Sequence, residues 1–105
     1  MNLATVGNDA LRAAAGAAGV TWGQIQHDFQ ADLEAVLQAA ARIEAKLAAG
    51  ILTADESEEL LRDQARILFV LEKEAEVAAK VVTQNAANAA IDVIWAAVKT
   101  AAKIA

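Results

Sequence analysis

Gly50-Ile51-Leu52-Thr53 stands between two long amphipathic stretches and reads as a helix stop followed at once by a helix start. Glycine just past the last periodic residue adopts the left-handed backbone that closes a helix at little steric cost. Thr53-Ala54-Asp55-Glu56 then matches a capping box: the threonine hydroxyl accepts from the Glu56 amide, and the Glu56 carboxylate reaches back to the Thr53 amide. Asp55, Glu56, Glu58 and Glu59 crowd the first turns beyond, where the positive end of the helix dipole favours carboxylates. This punctuation predicts an antiparallel helical hairpin.

The chain has no proline, and its five glycines all lie at or before Gly50, so the 55 residues that follow can stay helical almost throughout. Thr21-Trp22-Gly23-Gln24 is a further capping box, and Val20 and Ile25 fall at the two positions of a hydrophobic staple, predicting a helix over 22–49. Asn8 as cap and Gly19 as stop delimit a shorter helix over 9–18. In the second half, Thr83-Gln84-Asn85 is a weak break. Helices over 54–83 and 85–104 are therefore expected, in preference to one rod about 75 Å long at ~1.5 Å per residue.

Trp22, Ile25, Phe29, Leu33, Val36, Ala40, Ile43 and Leu47 recur every three or four residues, a narrow coiled-coil-like seam, with Leu37 beside it as a second contact. Beyond the turn, Leu61, Leu68, Ala75 and Val82 form one seven-residue row, with Gln64, Leu71, Ala78 and Asn85 next to it. Ile67-Leu68-Phe69-Val70-Leu71 is apolar around more than a full turn, which one partner helix does not cover. The fold expected is all-α: a hairpin extended to an up-down helix bundle in a single domain, with the covering helices drawn from this chain or from another copy.

Hydrophobic residues make up 57% of the 105, but 29 are alanine and only Trp22, Phe29, Phe69 and Trp95 are aromatic. Alanine is the best helix former yet gains little from burial, so the core is thin and self-association is expected to add buried surface. The net charge of −5 gives no footprint for nucleic acid, whose binding rests on basic residues neutralising phosphates. Without cysteine, disulfides and thiolate metal sites are excluded. The N-terminal residues lack a basic start and a compact apolar block, and no stretch reads as a membrane span, so a cytoplasmic protein is expected.

No catalytic residues, metal ligands or cofactor are assigned. His27, the single histidine, falls nearly opposite the seam and reads as a solvated side chain. The Glu-x-x-His pairs of di-metal bundles do not occur. The acidic residues Asp55 to Glu59, and Glu72, Glu74 and Glu76 around Lys73, read as solvated faces rather than matched acid–base pairs. The stretch Ala13 to Gly19 lacks the Lys-Ser/Thr ending of a phosphate loop. Its small residues suit a close helix crossing or a flexible arm, and Gly16 and Gly23 suit a seat for a bulky side chain.

Over 85–104, a polar stripe of Asn85, Asn88, Asp92, Lys99 and Lys103 opposes an apolar one of Ile91, Ile94, Trp95, Val98 and Ala102. The latter reads first as a core helix closing the bundle and second as a docking face. Candidate interface residues are Ile67, Phe69, Val70, Ile91, Ile94, Trp95 and Val98. The function expected is a non-enzymatic helical association module: a homo-oligomeric scaffold, adaptor or small assembly factor. Its partner is expected to be itself, as a homodimer or higher, or an unknown protein, and not nucleic acid. The alternatives are a membrane-peripheral protein using the C-terminal helix, with Lys99 and Lys103 near headgroups, and a carboxylate metal-binding bundle. Membrane contact is the less favoured.

Overall fold

The computed structural model describes the backbone of residues 1–74 and 77–103 and the side chains of 1–20, 22–69 and 83–103. Four α-helices follow one another: α1 (Leu3–Ala18), α2 (Trp22–Ala48), α3 (Ala54–Gln64) and α4 (Val77–Ala101). A short 3₁₀ turn, Gly19–Thr21, joins α1 to α2, and a longer 3₁₀ segment, Ala65–Glu74, extends α3 towards α4. The chain is an all-α, up-down helix bundle.

Lengths explain why it doubles back. The 27 residues of α2 span about 40 Å at ~1.5 Å per residue, close to the 42 Å long axis of the molecule. Residues 54–101 as one rod would need about 72 Å by the same rise. Instead α3 with its 3₁₀ extension forms the third arm, and α4 returns as the fourth. Arg62 of α3 reaching Asp92 of α4 at 3.4 Å fixes their antiparallel register. Near the start of α1, Gly7 lies against Leu37, late in α2, so these two are antiparallel as well. The helices α2 and α4 each touch every other helix and form the short diagonal of the bundle.

The buried side chains of all four helices form one cluster. The α2 seam is buried as the periodicity requires, from Ile25 through Phe29, Leu33, Val36, Ala40 and Ile43 to Leu47, with Trp22 half-buried and edge-on to Phe29 at 5.4 Å. Leu37 is buried too, under α1. Along α3 and its 3₁₀ extension the core row is Leu61, Ala65, Leu68. It steps by four while the helix is α and by three once the backbone tightens, as a 3₁₀ segment with three residues per turn demands. Leu71, Ala75, Ala78 and Val82 lie outside the described side chains.

Several boundaries depart from the sequence reading. The first helix starts at Leu3, not residue 9, because Asn2 rather than Asn8 caps it: the Thr5 amide donates to Asn2 Oδ1 at 3.1 Å. Val6, Ala10, Ala14 and Ala18 then form a buried row at every fourth residue. Of the small-residue stretch, Ala14 and Ala18 are buried as a close crossing requires. The tight contact with α2 falls at Gly7, where an added Cβ would sit 2.9 Å from Leu37 Cδ1, while Gly16 and Gly23 face open space. No staple forms at Val20, which is 102% exposed, because Gly19 at φ +59° swings the 3₁₀ turn outward. The Thr21 capping box falls on a side chain outside those described.

The break expected at Thr83-Gln84-Asn85 is also displaced. From Val77, α4 runs uninterrupted through those residues. Thr83 is buried in the core inside α4, and Gln84 and Asn85 stand on the solvent face. The departure from α-helix comes earlier, after Gln64. Among the described residues, no helix is long and apolar enough to cross a membrane.

Candidate interaction surface

The hairpin turn is built as its residues dictate. Gly50 sits at φ +76°; its amide donates to the Leu47 carbonyl at 3.1 Å and that of Ile51 to the Lys46 carbonyl at 2.9 Å. These two bonds are the Schellman pattern that satisfies the last carbonyls of a helix. On the other side of the turn the capping box is complete: the Thr53 amide donates to Glu56 Oε1 at 3.0 Å, and the Glu56 amide to Thr53 Oγ1 at 3.1 Å. The Thr53 amide foremost, and then the Thr53 hydroxyl, hold the Glu56 carboxyl below its ordinary range. Buried Ser57 adds a bond from its hydroxyl to the Thr53 carbonyl at 2.8 Å.

A turn fixed this tightly leaves little freedom to bury its own apolar residues. Ile51 stands 69% exposed. Leu52 is half-buried, and Leu60 and Ile67, seven residues apart on the outer flank of the third arm, are each 39% exposed. Leu52 and Leu60 together border two hollows. One, of about 600 Å³, opens on the α3 side towards Glu56, Glu59 and Asp63. The other, of about 140 Å³, lies against α2 at Arg42, Ile43 and Lys46.

Part of the surrounding charge is spent inside the chain. Arg62 binds Glu58 at 2.9 Å and Asp92 at 3.4 Å, which raises its already high pKa, and Arg66 lies 3.3 Å from Asp63. Exposed pairs of this kind hold side-chain positions more than they stabilise the fold.

The candidate interface residues divide. Ile67 belongs to the exposed patch. Phe69 is half-buried and packs on the core, and Val70 lies outside the described side chains. Ile91, Ile94, Trp95 and Val98 are buried within the chain's own bundle, with Trp95 8% exposed. The Lys99 ammonium sits 5.7 Å from the Trp95 ring centre, a cation–π contact. The surface residues that sequence reasoning passed over are Ile51, Leu52 and Leu60. Their signal was present: Leu60 and Ile67 form a row of their own, one residue ahead of the row Leu61 and Leu68. Adjacent positions on a helix point about 100° apart, so the two rows face different surroundings.

His27 is exposed on α2. Asp32, half-buried on that helix and one turn from Asp28, has its pKa raised by burial and then by the Asp28 charge. Among the described residues, no three acidic or histidine side chains are grouped to hold a metal ion.

Compared with known families, curated proteins and solved structures, the chain matches none.

Proposed function

We propose that this chain is a non-enzymatic helical association module that acts by docking to protein surface: a homo-oligomeric scaffold, adaptor or small assembly factor. The observation that carries this reading is the set of exposed and half-buried apolar residues Ile51, Leu52, Leu60 and Ile67, which runs from the 50–53 turn along the outer flank of the third arm. Scattered exposed apolar residues need no explanation, but clustered ones mark binding surface. Leu52 and Leu60 border hollows large enough for a side chain of another protein. The thin alanine-rich core supports the same reading, since a small domain gains stability when association buries more apolar area.

A membrane-peripheral reading asks more of the fold. It requires Ile94 and Trp95 to leave the core and Lys99 to give up its ring contact. Docking through the hairpin end requires no unpacking.

Sedimentation velocity over a concentration series tests the proposal. A weight-average mass rising from monomer to a discrete oligomer between micromolar and millimolar protein is expected. A folded chain that stays strictly monomeric at the highest concentration counts against the homo-oligomeric form.

A further inference from the structure

The seam between α2 and α3 is bounded by two lips of opposite sign. Arg42 and Lys46, one turn apart on α2, flank Leu60 and Leu52 on one side. Glu56, Glu59 and Asp63 flank them on the other, with Arg62 and Arg66 between them. Arg62 is paired to Glu58 and Asp92 and Arg66 to Asp63, so the charge left over on this lip is acidic. Asp63 is neutralised within the chain by Arg66, and Glu56 is engaged by the Thr53 amide. Arg42, Lys46 and Glu59 make no ion pair among the described residues. A surface that covers Leu60 and engages both lips brings an anion to one and a cation to the other. A second copy of the same face carries both.

Symmetry decides how the copies meet. A two-fold axis lying across α3 stacks each lip on its own counterpart, like charge on like. A two-fold axis running along α3 exchanges the lips, so that Arg42 and Lys46 of each copy face Glu59 of the other. The same axis sets the third arms parallel and in register. Leu60 and Ile67 then each meet their own counterpart across the axis. We infer that the Leu52–Leu60–Ile67 face binds a second copy of this chain in parallel, with the oppositely charged lips paired across a two-fold axis along α3. This rests on the association reading and supplies its surface and geometry.

Two reversed-charge chains test it: Arg42→Glu with Lys46→Glu, and Glu59→Lys with Asp63→Lys. All four positions are exposed, and circular dichroism checks that each chain keeps its helix content. In sedimentation equilibrium at low salt, each alone is expected to self-associate at least about tenfold more weakly than the natural chain. Mixed together they restore one-to-one dimers, because every lip again meets its opposite. If the natural chain self-associates but the mixture does not, this face is overturned while the association reading stands. A natural chain that is monomeric throughout overturns the inference together with the homo-oligomeric reading, and leaves the groove to a different protein.

Discussion

The α1–α4 seam and the α2–α3 seam are both antiparallel helix contacts in one small bundle, yet the first is closed along its length by small residues, with a hollow of about 540 Å³ only at its Met1–Thr100 end, and the second is left open beside Leu52 and Leu60. Ala10, Ala14 and Ala18 of α1 are buried, as are Ala86, Ala87 and Ala90 of α4, and their small side chains let the two backbones draw together. Between α2 and α3 the bordering residues are Leu52 and Leu60, too bulky for such an approach and only partly covered. Polar bonds hold that end instead: the Schellman turn, the capping box and the Ser57 hydroxyl. Small residues thus complete a surface, whereas a hydrogen-bonded turn positions large ones without burying them. The second arrangement is the one that leaves something to bind.

The sharpest way to break this contrast is to enlarge the closed seam. Ala14→Leu forces extra methylenes into a packed contact and is expected to cost about 1–3 kcal/mol, read as a fall in the urea midpoint. Were the seam looser than the buried alanines imply, the midpoint would not move. Next in size, Thr53→Ala removes the cap that holds the open end and is expected to cost about 1 kcal/mol.

Its pH dependence has a definite sign. The Glu56 pKa is lowered on folding, so its contribution is present above the ordinary value of 4.5 and is lost as pH falls through the depressed one. The amide survives Thr53→Ala, so only the part of the cost owed to the hydroxyl's bond with the carboxylate should be lost in acid. A penalty unchanged there would mean that the Thr53 hydroxyl adds nothing to the hold on the carboxylate.

Asp32→Asn is expected to stabilise the chain by about 0.2–0.5 kcal/mol at neutral pH, by relieving a like-charge pair at i,i+4 with Asp28. Here the pKa is raised on folding, so the native form favours the proton and stability falls as pH rises through the raised value. The gain from asparagine should vanish below the ordinary 3.8, and thermal melts at two pH values compare the cases. The smallest effect on the fold is expected from Leu60→Ser, within about 0.5 kcal/mol of the natural chain in dilute solution. At high concentration the same change should reduce self-association, and that split between fold and binding separates the open seam from the closed one.

The sequence made the α2 seam and the 50–53 turn readable because each rests on local, redundant signals: a sustained period, a glycine stop and a reciprocal cap. The start of α1 was hidden. Asn2 and Asn8 are equally good caps, and only burial of the row from Val6 to Ala18 decides between them. The third arm misled for a related reason. Its change from α to 3₁₀ involves neither glycine nor proline, so nothing local announces it, and the bundle length that forces the chain to return is a tertiary property. The candidate surface was half visible. Ile67 was legible in the run Ile67–Leu71, but Trp95 and its neighbours are as apolar as any docking face, and the packing of α4 against α1 and α2 buries them.

Hydroxyl-radical footprinting of dilute and concentrated protein tests the role of the open seam most directly, since it reports each side chain separately. Val20, 102% exposed in the α1–α2 turn at the opposite end of the bundle, serves as an internal reference. Leu60, Ile67 and Leu52 are expected to become protected as concentration rises, while Val20 reacts equally in both samples. Uniform reactivity at Leu60 and Ile67 across the series, or protection appearing at Val20 instead, would contradict a docking face at the α2–α3 seam.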